Sequence, residues 1–226
     1  MIDKRKKSIE ESLDGLLKDG VTLLIGGFGD SGAPFELMQG VLTAGFRDLT
    51  IVSNNAGTGD RGIAALLEAG LVKKVICSYP RSSGAYVIER MYKEGAVELE
   101  VVPQGTLVER IRCGGAGLGG FYTPTGIGTP MAEGKEVKII KGREYILEEA
   151  LFGDIALIKA AVADRWGNLL YTKASRNFGP VMATSASRTI VQVCKTVELG
   201  CLNPEAIVTP GIFVDQIVEV RADNEF

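Results

Sequence analysis

The segment Asp19-Gly-Val-Thr-Leu-Leu-Ile-Gly-Gly-Phe-Gly-Asp-Ser-Gly-Ala-Pro34 joins an apolar run to a glycine-rich turn and then to a helix start. The run Val21–Ile25 is typical of a strand buried in a parallel sheet. The glycines that follow allow positive φ and a close approach of the backbone to a ligand. Pro34 suits the first position of a helix, where free amides bind anions. Residues 26–32 are therefore predicted to bind phosphate or carboxylate.

Apolar strands and amphipathic helices continue to alternate along the chain. This order, with short connections, predicts an α/β fold with an open, mostly parallel sheet and helices on both faces. A chain of 226 residues with 46% hydrophobic content is long enough for one large core, so we expect a single domain over residues 1–226. The predicted strands are 21–25, 49–52, 74–77, 97–102, 155–162 and 189–193, and the predicted helices are 8–18, 34–44, 62–69, 85–94, 105–112 and 180–187.

The alternation stops at residues 113–130, where glycines are frequent and Tyr122-Thr-Pro-Thr-Gly126 is a turn signal. A long loop is predicted there, and loops of this length in compact domains are usually functional or mobile. Two short strands, Glu136–Ile140 and Arg143–Leu147, flank Lys141-Gly142. They predict a small hairpin inserted after the glycine-rich loop.

Composition excludes several classes of partner. The net charge is -3, with 25 Lys and Arg against 28 Asp and Glu, so there is no basic surplus to hold nucleic acid or an anionic membrane. No apolar run approaches the roughly 18 residues that span a bilayer. The charged start, Met1–Glu10, lacks the apolar core of a signal peptide, so we expect a cytoplasmic protein.

The chain contains no histidine, which removes the commonest general base and the commonest transition-metal ligand. The four cysteines have no C-x-x-C spacing, so we expect buried thiols and no metal site. Any chemistry must therefore use carboxylates, amides and backbone donors, or a residue supplied by another chain.

Residues Gly27-Phe-Gly-Asp-Ser-Gly32 match the G-x-G-x-x-G pattern of dinucleotide-binding folds. That fold also needs an acidic residue about 20 residues further on, whereas the second predicted strand ends in Ser53-Asn-Asn55. A second match, Gly115–Gly120, follows a helix rather than a strand. Both observations argue against a dinucleotide site, and a purely structural glycine turn remains an alternative for residues 26–32.

Several motifs occur together in a consistent order. They are Asp19-Gly20, Gly26-Gly-Phe28, Gly32-Ala-Pro34, Pro103-Gln-Gly-Thr-Leu107, Gly114-Gly-Ala-Gly-Leu-Gly-Gly-Phe121, Thr123-Pro-Thr-Gly126, Ser175-Arg-Asn-Phe178 and Thr209-Pro-Gly-Ile-Phe-Val214. On these residues the chain resembles the family I CoA-transferases, specifically the alpha (A) subunit of 3-oxoacid CoA-transferases. The resemblance covers nearly the full chain.

The resemblance implies ping-pong acyl transfer, in which a glutamate attacks an acyl-CoA and becomes a glutamyl-CoA thioester. In this family that glutamate belongs to the beta subunit, so no catalytic residue is assigned to this chain. Glu109, Glu133, Glu148 and Glu149 are interpreted as solvated charges. The resemblance further implies a beta-subunit partner in an alpha2beta2 heterotetramer, with acyl-CoA and a 3-oxoacid as substrates and no other cofactor.

The resemblance also implies site residues. The family's CoA-binding stretch corresponds to Gly26, Gly27, Phe28, Gly29, Asp30, Ser31 and Gly32. Whether this loop contacts phosphate or only shapes the acyl pocket stays open, as does whether Phe28 faces the ligand or the core. The family's substrate-orienting glutamine corresponds to Gln104, which the strand order independently places at the carboxyl edge of the sheet. A helix-capping role for Gln104 is the alternative.

Two further residues are candidates for substrate binding. Asn54 ends the second predicted strand and either contacts the acyl group or forms a turn. Arg81 follows the third and is our candidate to pair with the distal carboxylate of a dicarboxylate substrate. The segments 54–57, 78–81 and 164–168 resemble the 3-oxoadipate branch, whereas residues 117–121 resemble acetate and acetoacetate enzymes. The acceptor is therefore expected to be 3-oxoadipate or acetoacetate.

Two other functions fit a glycine loop after the first strand. One is a phosphate binder similar to sugar-phosphate isomerases, and the other is a CoA-binding module without chemistry. Gln104 and the turn at Thr123–Gly126 argue against the isomerase. A neighbouring gene for a beta-like chain distinguishes the transferase from the module.

Overall fold

The computed structural model describes residues 2–220, in which strands and helices alternate. The strands are β1 (Arg5–Lys6), β2 (Thr22–Ile25), β3 (Leu49–Asn55), β4 (Val72–Tyr79), β5 (Glu98–Val101), β6 (Gly120–Thr123), β7 (Val137–Ile140), β8 (Arg143–Glu149), β9 (Gly153–Asp164), β10 (Leu169–Leu170), β11 (Ala186–Val197) and β12 (Gln216–Glu219). The α-helices are α1 (Ile9–Leu13), α2 (Phe35–Ala44), α3 (Ile63–Glu68), α4 (Tyr86–Lys93), α5 (Gln104–Gly115) and α6 (Gly179–Thr184). Short 3-10 turns occupy Pro130–Ala132, Lys173–Arg176, Pro204–Ala206 and Gly211–Phe213.

The main sheet has the strand order β1-β12-β11-β9-β2-β3-β4-β5, in which all neighbours are parallel, and β10 pairs antiparallel with β9. From β2 the chain builds outward to β5, and it later adds β9, β11 and β12 on the other side of β2. The strand order thus reverses between β2 and β9. In open parallel sheets, ligands bind beyond the carboxyl ends of the strands at such a point, and the glycine loop follows β2 there.

Helices cover both faces of this sheet, as the sequence predicted. On the first face, buried side chains of α1–α4 such as Leu37 and Leu66 pack against Leu23 and Ile25 of β2. On the second face, α5 and α6 pack against a separate cluster that includes Leu24. Successive residues of β2 therefore face opposite layers, as the pleat requires.

The small sheet has the order β6-β8-β7 and is antiparallel. Its β7–β8 hairpin turns at Lys141-Gly142, where both residues have positive φ (50° and 78°), as a type I′ turn requires. The predicted hairpin is confirmed. The predicted loop over 113–130 was wrong at its start, because α5 continues to Gly115 and Gly120 begins a third strand of this sheet.

Other boundaries also differ from the sequence predictions. Helix α1 ends at Leu13 rather than at residue 18, because Gly15 adopts φ 68° and redirects the chain. Of the four cysteines predicted to be buried, Cys194 and Cys201 are exposed. Cys194 lies on β11 just beyond Val193, the last residue of β11 that pairs with β12. The expected single domain includes Met1 and residues 221–226, which lie outside the described residues, and it stays a prediction.

Candidate functional site

The glycine loop, residues 26–32, forms a tight turn over the carboxyl end of β2. Phe28 and Ser31 exchange backbone hydrogen bonds of 3.0 and 3.2 Å, which places Gly29 and Asp30 at the tip. Within residues 2–220, the amides of Gly29 and Asp30 donate to no protein acceptor. The Phe28 side chain is 52% exposed, so it does not staple the loop to the core of this chain. The tip therefore presents two free donors and an aromatic ring outward.

The start of helix α2 is less available to an anion than the sequence suggested. The Leu37 amide donates to Gln192 Oε1 at 3.1 Å, and Gln192 Nε2 donates to the Glu36 carboxylate. This arrangement satisfies one orphan donor of the first turn and places a negative charge beside it. An anion at this end of the sheet would therefore bind to the loop amides in preference to the start of α2.

A narrow cleft separates the glycine loop from the end of β3 on the first face of the sheet. Arg61 stands at its edge, 2.6 Å from Asp30 and with its guanidinium 4.1 Å above the Phe35 ring. Asn55 turns the chain here by accepting a 2.8 Å hydrogen bond from the Gly57 amide. The turn role that the sequence offered as an alternative for Asn54 thus falls to its neighbour Asn55.

On the second face, the candidate substrate residues Asn54 and Gln104 reach the same edge of the sheet. Asn54 is 3% exposed, and its Oδ1 has no hydrogen-bond partner within residues 2–220. Ser78 lies opposite Asn54 in register on β4, and its Oγ is also buried without a partner. Gln104 begins α5, and its exposed side chain makes no hydrogen bond with the described part of the chain. Buried polar atoms without partners are rare in folded proteins and need an explanation.

The spacing of the strands sets the size of this site. Gln104 follows the edge strand β5, two strands from Asn54 on β3 and three strands from the glycine loop after β2. At about 4.8 Å per strand, these separations are about 10 Å and about 14 Å. The structure thus brings the predicted residues to one edge of the sheet without bringing them into contact.

Arg81 lies in the loop after β4, and its side chain is 85% exposed, 3.7 Å from Glu89. In this chain alone it faces solvent. The four glutamates predicted to be solvated behave differently from one another, because Glu148 is only 3% exposed and contacts Lys135 at 2.5 Å. The interpretation of Glu148 as a solvated charge was wrong. Its side chain is buried and pairs with Lys135, a residue that is distant in sequence and that only the fold brings near.

Helix α5, which carries Gln104, is fixed to the edge of the sheet by ionic contacts. Arg110 Nη1 donates to Glu100 Oε1 at 2.8 Å, and Lys74 Nζ lies 2.7 Å from Glu100 Oε2. Partial burial on its own would raise the pKa of Glu100, but hydrogen bonds from these two cations together lower it below its ordinary value. Glu100 therefore links β4, β5 and α5 through two ion pairs.

Three residues near the candidate site were not predicted from the sequence: Arg61, Ser78 and Asn177. Asn177 contacts the glycine loop across 146–150 residues of sequence. The only available signal for it was its place in the motif Ser175–Phe178. Ser78 lay in the segment 78–81 that resembles the 3-oxoadipate branch, and Arg61 had no signal, because its position depends on loop packing.

Among residues 2–220, no cluster of three or more Cys, Asp or Glu side chains is arranged to hold a metal ion. In the same part of the chain, each helix is too short or too polar to cross a bilayer.

A parallel sheet with a glycine loop at its switch point and amide side chains along its carboxyl edge defines an α/β ligand-binding protein. Residues 6–220 match the family model described as Coenzyme A transferase, and the chain belongs to this family. It is 56% identical over 220 residues to the A subunit of the 3-oxoadipate CoA-transferase of Pseudomonas putida, covering 97% of this chain and 95% of that relative. It is 48% identical to the A subunit of the probable succinyl-CoA:3-ketoacid coenzyme A transferase of Bacillus subtilis (strain 168), covering 90% of this chain and 84% of that relative.

The fold also matches the crystal structure of an acyl-CoA transferase from Escherichia coli O157:H7, with a TM-score of 0.86 and 25% identity. The match covers 96% of this chain and 47% of that chain. This chain therefore spans about half the length of that enzyme.

Proposed function

We propose that this chain is the alpha subunit of a 3-oxoacid CoA-transferase and that, together with a separate beta subunit, it moves CoA from succinyl-CoA to 3-oxoadipate. The observation that carries the proposal is the open edge of the sheet, where the unpaired amide of Gln104 lies at the same edge as the orphaned polar atoms of Asn54 and Ser78. Such groups suit a substrate or a partner residue that arrives from outside the chain.

In this mechanism the nucleophilic glutamate comes from the beta subunit. A neutral amide such as Gln104 donates to a substrate carboxylate or to an anhydride carbonyl without forming an ion pair that would weaken a nearby glutamate. The free amides of Gly29 and Asp30 bind the CoA thioester, and Arg61 supplies a cation at the same end of the cleft. The chain's role is to bind and orient, which agrees with its lack of histidine.

The choice of 3-oxoadipate rests on the relatives. The relative named for 3-oxoadipate is 56% identical to this chain, whereas the one named for a 3-ketoacid is 48% identical. We propose an alpha2beta2 assembly in the cytoplasm, which light scattering of the purified complex and cell fractionation test.

The test is to purify the two chains separately, to mix them, and to follow thioester exchange from succinyl-CoA to 3-oxoadipate or acetoacetate. We expect no transfer by this chain alone, transfer by the mixture, and a higher kcat/KM with 3-oxoadipate. Robust turnover by this chain alone would overturn the assignment of the nucleophile to its partner. An inactive mixture would favour a CoA-binding module.

Arg81 is proposed to set specificity by pairing with the distal carboxylate of 3-oxoadipate once the beta subunit covers the edge. An unpaired charge in a dry site costs several kcal/mol. Arg81→Met is expected to depress 3-oxoadipate transfer more than acetoacetate transfer, by a differential of roughly 2–4 kcal/mol. Arg143→Met, at the exposed hairpin turn, is the matched control. Equal effects of Arg81→Met on both acids would contradict the proposal.

A further inference from the structure

We infer that Asn177 is a positioning residue that clamps the glycine loop in the conformation that binds CoA. This inference rests on the function proposed above. Asn177 Oδ1 accepts from the Gly27 amide at 3.0 Å, and its Nδ2 donates to the Ser31 carbonyl at 2.9 Å. One side chain thus holds both ends of the turn that presents Gly29 and Asp30.

The Asn177 side chain is also held by hydrogen bonds within its own segment of the chain. Its Oδ1 also accepts from the Phe178 amide at 2.7 Å, and its Nδ2 donates to the Ala174 carbonyl at 3.0 Å. All four hydrogen-bonding positions of the amide are therefore used. The orientation of the amide follows from its partners. In the reverse orientation, Nδ2 would face two backbone N–H groups and Oδ1 would face two carbonyl oxygens.

Close packing at Gly32 shows that the loop and the clamp fit each other. Gly32 has φ 70°, and a Cβ there would lie 2.3 Å from the Ser175 carbonyl oxygen and 2.9 Å from Asn177 Nδ2. Backbone atoms cannot yield as a flexible side chain does. The loop therefore lies directly on the segment that carries Asn177, with no room for a side chain between them.

The contact has a functional consequence because the loop tip has few other restraints beyond its own backbone hydrogen bonds. Phe28 is exposed, and the ion pair of Asp30 with Arg61 lies at the surface. Surface ion pairs contribute little to order. Without the clamp, the loop would have to be ordered by the CoA ester itself, which weakens binding through the entropy of ordering.

The test uses Asn177→Ala in the full complex with the beta subunit, with initial rates measured separately against succinyl-CoA and against the 3-oxoacid. We expect the KM for succinyl-CoA to rise about tenfold, as for about 1.4 kcal/mol of lost binding, while the KM for the acid stays within about twofold. Amide hydrogen exchange in residues 27–33 should accelerate in the ligand-free variant. Asn177→Ser, whose hydroxyl is too short to reach both Gly27 and Ser31, should give the same pattern and serves if the alanine variant folds poorly.

The matched control is Asn168→Ala. Asn168 also joins two loops, because it donates to Asp164 at 2.7 Å and accepts from the Gly211 amide at 2.8 Å, but it makes no contact with the glycine loop. We expect this variant to lose stability without a change in either KM. If both Asn177 variants leave the KM for succinyl-CoA unchanged, or raise both KM values equally, the clamp is refuted. Failure of the proposed function would look different, since the unmutated complex would then transfer no CoA.

Discussion

Helix α5 lies so close to Ser185, just after α6, and to Leu151, just before β9, that Gly114→Ala should destabilise the protein. A Cβ at Gly114 would lie 2.3 Å from Ser185 Oγ and 2.5 Å from the Leu151 carbonyl oxygen. Those two atoms form a buried hydrogen bond of 2.7 Å, so the new methyl group would have to displace it or push the backbone away. Gly114 is the next-to-last residue of α5, and alanine there would by itself gain at most about 1 kcal/mol of helix propensity.

The opposing effects can be compared in magnitude. Overpacking a tight site costs about 1–3 kcal/mol, and disrupting a buried hydrogen bond costs a further 1–3 kcal/mol. Set against the gain of about 1 kcal/mol in helix propensity, the net loss in the free energy of unfolding is about 1–5 kcal/mol. The steric terms therefore outweigh propensity, although the same substitution stabilises most exposed helices.

The assay is urea unfolding followed by far-ultraviolet circular dichroism. Gly105 provides the matched control, because it lies in the same helix and a Cβ there would meet nothing within 4 Å. Gly105→Ala should leave the urea midpoint unchanged or raise it slightly, whereas Gly114→Ala should lower it. A Gly114→Ala protein as stable as the parent would contradict this prediction, since it would mean that α5 can move away from Ser185 and Leu151 at little cost.

Three further predictions concern Gln104, the ion pairs of Glu100 and the reactivity of the cysteines. Gln104→Ala should lower kcat/KM about 10- to 1,000-fold, or roughly 1.4–4 kcal/mol, with the urea midpoint nearly unchanged, because the side chain has no partner in the described part of this chain; a parent rate in the assembled variant would contradict a catalytic contact. Because the folded-state pKa of Glu100 is lowered, its stabilisation should be complete above its ordinary pKa of 4.5 and be lost as the pH falls below that value, so the Tm difference from Glu100→Gln should shrink as the pH falls below 4.5. A chromogenic disulfide reagent at about pH 8 should titrate the two exposed cysteines of the native chain and spare the two buried ones, since burial raises the pKa of the Cys77 thiol to about 12; rapid reaction of all four would refute the described packing.

Local patterns were sufficient for much of the fold. Apolar runs, the glycine turn and Pro34 located strand β2, the glycine loop and helix α2 to within a residue or two, because these signals act between neighbours in sequence. The strand β6 was missed since its first residue, Gly120, ends a glycine-rich run that resembles a loop. Sheet order was not predicted, because which strands pair depends on contacts between distant parts of the chain.

The candidate site divides in the same way. The glycine loop and Gln104 were identified from motifs, and the structure places both at the carboxyl edge of the sheet. Their chemical roles stay predictions. The burial of Glu148 and the contacts of Asn177 were beyond sequence reasoning, because each depends on a partner that only the folded chain brings near.

The position of β2 in the middle of the sheet has a consequence for biosynthesis. One edge of β2 pairs with β3, which follows it closely, but the other pairs with β9, which begins at Gly153. At about 5–20 residues per second, the ribosome needs on the order of 10 s to reach β9 after completing β2. During that interval the nascent chain carries an apolar strand with an open edge, which is a template for pairing with other chains. The amino-terminal half therefore exposes this pairing edge until β9 has been synthesised.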